Sequence, residues 1–237
     1  MKLLSLIAFA GMVVMNYLAN ALPLNGKTTG ALSDQYPNLF TPAGITFSIW
    51  GVIYLMLLGY VLLQFRESHR AVPAQVTWLF IVSCLLNALW IMAWHYEKLP
   101  LSLLIMLGLL VTLVLINAGL KPSHQAWTRA AFGIYLGWIC IATIANVTAL
   151  LVKFQWGGWG IPEANWAMIM VVTGAAISAL AMYRLGNPYL GIAVIWALTG
   201  IFIKRQVDVP SIAVISLVAA FAVAALTLGM FIRKTAW

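Results

Sequence analysis

Phe47, Trp50 and Tyr54 recur at spacings of three and four residues, which places them on one face of a helix. Asn87, Trp90 and Trp94 repeat the arrangement further along, and Tyr135, Trp138, Ala142 and Asn146 repeat it again. Three apolar segments thus each carry an aromatic stripe with a polar or small residue beside it. The chemistry such faces support is noncovalent: aromatic walls stack on a flat, largely apolar molecule while a few polar groups fix its edge. Aromatic stripes at helical spacing also serve as plain packing. What favours a binding face is the position of Asn87 and Asn146, amides that must find partners inside a bundle and that lie on the aromatic sides. Asn16 and Asn20, one turn apart in the first apolar segment, add a fourth polar contributor that suits interhelical hydrogen bonding equally well.

Other chemistries find little support. No Asp, Glu, Lys or Arg stands at the centre of an apolar segment, so the carboxylate relay expected of an ion-coupled pump is missing. Asn25-Gly26-Lys27-Thr28-Thr29-Gly30 lacks the order of a phosphate loop and reads as a turn. No G-x-S-x-G, H-E-x-x-H or paired-carboxylate arrangement points to hydrolysis. His95, beside Tyr96 and Glu97, has the chemistry of an axial metalloporphyrin ligand, but a lone histidine at this position is expected to be solvated or hydrogen-bonded. His69 and His124 fall in loops, so no spaced metal cluster is expected. Cys84 and Cys140 both lie in apolar stretches and read as small buried hydrophobes, not as a disulfide.

The elements that position these faces follow from composition. Of 237 residues, 64% are hydrophobic and 8% charged, whereas water-soluble domains run at about half apolar and a quarter charged. With a mean hydropathy of +1.00, this is an all-α integral membrane protein with the lipid bilayer as its solvent. Helices are required because an open sheet cannot satisfy its backbone in hydrocarbon, and the alternation of a barrel strand is absent. Apolar runs predict eight spans near 3–22, 43–65, 76–96, 99–120, 130–152, 165–183, 187–203 and 210–232. The first also fits a cleaved signal peptide ending at Ala19-Asn20-Ala21, but its length favours a retained helix. Thr41-Pro42 reads as a helix start, with Thr as N-cap and Pro in the first turn.

The net charge of +8 comes from basic residues standing singly in loops, so it indicates orientation and not a nucleic-acid surface. Lys2, Arg66, Arg70, Lys121, Arg129, Arg184, Arg233 and Lys234 fall on the N-terminal side. Lys27, Lys98, Lys153, Lys204 and Arg205 fall on the other, a split of 8 to 5. The positive-inside rule then predicts both termini in the cytoplasm and an external 23–41 loop. Trp78, Trp127, Trp156, Trp159, Trp166 and Trp237 lie at span ends, where indoles anchor at the headgroup level.

Taken in order, Pro42, Trp50, Tyr54 and Gly59-Tyr60, then Leu86-Asn87-x-x-Trp90, then Tyr135-Leu136-Gly137-Trp138-x-x-x-Ala142-Thr143-x-x-Asn146 resemble the TspO/MBR family. These are the tryptophan-rich sensory proteins related to the mitochondrial translocator protein, once called the peripheral benzodiazepine receptor. The resemblance covers roughly residues 1–153 and implies a five-helix bundle that binds porphyrins, other tetrapyrroles or sterol-like lipophiles. It implies a pocket lined by Thr46, Phe47, Ile49, Trp50, Trp138, Ala142 and Ala145, with Tyr54, Asn87, Trp90 and Asn146 alongside. The family's second proline is Ala43 here, and its loop tryptophan appears as Tyr36 or Phe40, so the closing turn is expected to differ.

Residues 154–237 add three spans beyond a five-helix member, with Trp196 and Tyr189 among small residues such as Gly191, Ala193 and Gly200. Tyr189-Leu190-Gly191 echoes Tyr135-Leu136-Gly137 without continuing as a repeat. Because every motif lies before Lys153, residues 1–153 are expected to hold the site without the three-helix extension. The reading that results is a bacterial cytoplasmic-membrane receptor or sensor for a planar lipophilic small molecule, with porphyrin or haem as candidate ligand and no required cofactor. A transporter of such molecules is the alternative, and light-dependent porphyrin degradation at Trp50 or Trp138 is a third reading in an otherwise non-enzymatic protein. Ala175 and Ala179, four apart, suit helix packing and a homodimer.

Overall fold

The computed structural model describes residues 1–22, 24–66, 72–121 and 125–235, and His69, His124 and Trp237 lie outside them. The helices are α1 (Lys2–Ala21), α2 (Thr29–Asp34), α3 (Ile49–Leu63), α4 (Ala74–His95), α5 (Leu99–Gly119), α6 (Ala126–Lys153), α7 (Glu163–Leu185), α8 (Tyr189–Arg205) and α9 (Pro210–Thr235). All but the six-residue α2 coincide with the eight expected spans. Among the described residues, seven segments are long and apolar enough to cross a membrane. The eighth, α8, falls short in length with 17 residues, the low end of what a bilayer core requires. Its surroundings explain the tolerance, because nine of its residues are buried against α6 and α9.

The longest helix, α6, organises the bundle. It buries 18 of 28 residues, including every position from Thr128 to Ile141, as a helix enclosed on all sides must. One side meets α3 and α5; another meets α8. The α8 contact depends on Gly133 and Gly137, four apart: a Cβ on Gly137 would collide with the Leu190 carbonyl, and one on Gly133 would press on the Asn187 side chain. In lipid, where apolar surface gains little from leaving its solvent, such close backbone approach is a main source of helix association.

Buried polar groups join the helices. Asn16 of α1 donates to Asn87 of α4 at 2.7 Å, and Asn87 donates to the Tyr135 hydroxyl of α6 at 2.9 Å. Nearer the start of α6, Asn187 donates to Asn117 Oδ1 and to the Arg129 carbonyl, each at 2.8 Å, and Arg129 donates to the Gly186 carbonyl. This second cluster ties the α7–α8 turn to α5 and α6. Cys84 and Cys140 are free and buried, as their apolar settings predict.

The Thr41-Pro42 helix start is corrected. Residues Gly44–Ser48 form a 3₁₀ turn behind Ala43, with no side-chain cap, before α3 begins. The Thr41 hydroxyl instead donates to Asn38 Oδ1 at 3.0 Å. Two bonds from α8 account for the tight turn: Ala43 N donates to the Gly200 carbonyl at 3.0 Å, and Trp196 Nε1 donates to the Thr46 carbonyl at 2.8 Å. A short 3₁₀ run is a common way to begin a helix whose first turn is held from outside.

Candidate functional site

The three stripes converge. Trp50 stacks on Tyr54 (centroids 5.6 Å apart) and on Trp90 (6.1 Å), and Trp90 stacks on Trp94 (6.1 Å), so four rings form a near-parallel ladder. Trp138 stands edge-on to Trp50 at 6.2 Å and to Phe47 at 5.9 Å. Between the ladder and α6 lies a cavity of about 50 Å³. Its walls are Phe47, Trp50, Trp90, Trp94 and Trp138 on the aromatic side and Ile141, Ala142, Ala145, Asn146 and Ala149 along α6. The small alanines at helical spacing are what leave space beside the indoles.

Of the residues expected at the site, Phe47, Trp50, Trp90, Trp138, Ala142, Ala145 and Asn146 line this cavity. Four do not. Asn87, fully buried, is committed to Asn16 and Tyr135, because an amide in hydrocarbon is held by whichever partners the neighbouring helices supply. Tyr54 extends the ladder from behind Trp50. Thr46 packs against Gly200 of α8, with its carbonyl taken by Trp196. Ile49 lines an apolar groove with Trp196 and Ile192 on the other side of α3. His95 does not line the cavity; its Nδ1 lies 2.8 Å from the Ile91 carbonyl and the ring is buried, not solvated. Among the described residues no cluster of three His, Cys, Asp or Glu is placed to hold a metal.

Sequence reasoning missed Trp94, Ile141 and Ala149, although Trp94 belonged to the Asn87/Trp90 stripe and Ala149 continues the Ala142/Ala145 face. It also missed Thr29 and Ser33 of the short α2 and the loop residues Asn38, Thr41 and Pro42, none of which carries a periodic signal. They form a lid. Asn38 is its pivot, since its side-chain oxygen accepts from Phe40 N, Thr41 N and the Thr41 hydroxyl in the manner of an Asx turn. Tyr36, one of the two positions expected to replace the family's tryptophan, lies edge-on to Trp94 at 6.4 Å. Phe40, the other, is almost fully buried.

Among the described residues, several cavity groups find no hydrogen-bond partner: the indole N–H groups of Trp90, Trp94 and Trp138 and the side-chain oxygen of Asn146. The amide nitrogen of Asn146 is already spent on Ser102 at 3.0 Å. A buried donor left unpaired costs about 1–3 kcal/mol, so the residues around the cavity carry three donors and one acceptor whose hydrogen bonds are unmade in this arrangement.

Charged tethers hold the lid on two sides. Lys27 Nζ meets Glu97 Oε1 at 2.8 Å, and the Tyr36 hydroxyl donates to Glu97 Oε2 at 3.1 Å. On the other side Arg205, at the end of α8, donates to the Asn38 carbonyl at 2.7 Å and the Leu39 carbonyl at 3.1 Å, and pairs with Asp208 at 2.6 Å. Lys27 holds the Glu97 carboxyl below its ordinary value of 4.5, and Arg205 holds Asp208 below its ordinary 3.8. For a carboxylate with a lowered folded-state value, the tether is complete above the ordinary value and is lost as pH falls through the lowered one. Exposed pairs contribute little to the stability of a fold, so acid is expected to loosen the lid without unfolding the bundle. A spin label on Ala31→Cys should give a broad line above the ordinary carboxylate values and a narrower one once pH has fallen below the lowered ones, with Glu97→Gln already narrower at neutral pH. Identical lines at both pH values would exclude the tethers as the lid's restraint.

Comparison with curated proteins and with solved structures gave no match. The family profile described as TSPO-like protein does match, and its match runs from residue 2 to residue 232, through α7, α8 and α9 as well as the helices that carry the motifs, so this multi-pass membrane protein belongs to the TSPO-like protein family.

Proposed function

We infer that the protein is a membrane receptor or sensor that binds a planar lipophilic molecule, a porphyrin or other tetrapyrrole, in the aromatic cavity between α3, α4 and α6. Family membership carries the coarse role, a membrane-bound ligand-binding or sensor protein. The observation that carries the specific reading is the make-up of the cavity wall, tryptophans whose three indole N–H groups are unpaired and an asparagine whose amide oxygen is unpaired. A purely structural core would pair those groups or replace them with apolar ones. A flat molecule with acceptors along one edge stacks on the rings and satisfies the donors together. At about 50 Å³ the cavity has room for a water or two, whereas ligand pockets run to about 300–1,000 Å³. Binding on this reading therefore requires the ladder to part and the lid to lift.

The location that goes with this reading is the bacterial cytoplasmic membrane with both termini inside. It is supported by the Lys/Arg count and by the gathering of Lys27, Lys153, Lys204 and Arg205, all from the poorer side of that count, around the lid.

Trp138 provides the test. Stacking on an aromatic side chain is worth about 1–3 kcal/mol, so Trp138→Ala is expected to weaken protoporphyrin binding roughly 5- to 150-fold. Trp138→Phe, which keeps much of the volume and removes the N–H, is expected to fold like wild type and bind measurably less well. Trp78→Phe, on the exposed start of α4, is expected to change neither. Tryptophan-quenching titrations with protoporphyrin, haem and a sterol, read beside thermal melts, separate the outcomes. Affinity and stability falling in proportion, or normal binding by Trp138→Phe, would make Trp138 a packing residue.

A further inference from the structure

A second cavity, of about 360 Å³, lies between the lid, the C-terminal end of α6 and the start of α7. It is far larger than the aromatic cavity and within the usual range for a small-molecule site. Its walls are Trp156 and Trp166 with Leu151, Ile161 and Met170, and Gln155, Glu163 and Asn38 supply polar atoms. Trp166 is fixed in place, its indole N–H donating to the Gly158 carbonyl at 2.8 Å, and its ring contacts Trp156 at 5.1 Å.

The two cavities are separated by very little. Asn38 lines both, and on α6 Thr148 faces the outer cavity while its neighbour Ala149 faces the inner one. The partition is the segment Asn38–Phe40, and Arg205 holds it through the carbonyls of Asn38 and Leu39. Glu163 shares the rim of a further polar cleft with Lys204 and Arg205, so an acidic ligand edge meets cations there as well as a carboxylate.

We propose that the outer cavity is the entrance site through which the planar lipophile reaches the aromatic cavity, with Asn38–Phe40 as its gate and Arg205 as the latch. This rests on the reading of the aromatic cavity as the ligand site. It gives the outer cavity a ligand of the same class: a flat, largely apolar molecule with one polar edge, held between Trp156, Trp166 and the apolar face of α7. It also gives the α7–α8 segment a part in ligand access.

An entrance affects rates and leaves equilibrium alone. In stopped-flow experiments on the full chain in lipid nanodiscs, followed by the absorbance of protoporphyrin, Met170→Trp and Leu151→Trp fill the outer cavity from opposite walls. Each is expected to slow association and dissociation alike, by about tenfold or more, with Kd within about twofold of wild type. Arg205→Gln, which frees the partition, is expected to speed both rates. Normal rates in both filled variants would overturn the proposal and leave the cavity to an acyl chain of the bilayer. Weakened binding with an unchanged association rate would also overturn it, by making the cavity part of the final site. If wild-type protein binds no protoporphyrin, haem or sterol, the aromatic-cavity reading fails and the entrance fails with it. If wild type binds and only the filled variants behave normally, the entrance alone fails.

Discussion

A chain ended at Lys153 is expected not to yield a stable, monodisperse bundle, even though every recognisable motif precedes that residue. The motifs by themselves suggest that residues 1–153 hold the site unaided; the packing suggests otherwise. Removal of α7, α8 and α9 takes away Asn187, the partner of Asn117 and of the Arg129 carbonyl, and Gly186, the acceptor for the Arg129 guanidinium. It also strips the Gly200 carbonyl from Ala43, the Trp196 indole from Thr46 and the Arg205 clamp from Asn38 and Leu39. In hydrocarbon the loss of apolar contact is mild because lipid replaces it, but an orphaned polar group costs about 1–3 kcal/mol. Summed over these contacts, the cost approaches the whole stability of a typical protein, about 5–15 kcal/mol. Size-exclusion chromatography and a helix melt in detergent provide the measurement, and co-expression of residues 154–237 as a separate fragment should restore the folded species. A truncated chain that elutes as one species and melts within about 5 °C of wild type would show that the first six helices are self-sufficient.

Gly137→Ala is expected to be the most damaging single methyl group in the protein. Its Cβ would meet the Leu190 carbonyl, a backbone atom of α8 that no rotamer change can move aside, and would crowd Ala193. Overpacking of this kind costs about 1–3 kcal/mol, sometimes more, which for a chain of this size lowers the melting temperature by about 2–12 °C. Gly11→Ala in α1 is the matched control, because its Cβ would meet nothing within 4 Å and a mid-helix glycine replaced by alanine gains about 0.5–1 kcal/mol. If the two variants melt alike, the α6–α8 contact is not the close approach on which this bundle depends.

The sequence alone determined the helical segments and the ring-bearing face of each. Both are local properties: hydrocarbon thickness sets the length of an apolar run, and the 3.6-residue period sets which side chains share a face. Trp50, Trp90 and Trp138, with Ala142, Ala145 and Asn146 beside them, were therefore legible before any coordinates, and they do meet at one cavity. Tertiary structure alone decided what each polar group does with its hydrogen bonds. Asn87 stands on an aromatic stripe yet turns to Asn16 and Tyr135, a choice made by what the helices on either side happen to offer. Thr41 read as a helix cap and became part of the Asn38 turn, since the first turn of α3 is held instead from α8. The lid and its latch left no periodic trace at all. Trp196 reaches Thr46 across 150 residues and Arg205 reaches Asn38 across 167, and a contact of that separation is set by how the bundle closes, which no window of local sequence contains.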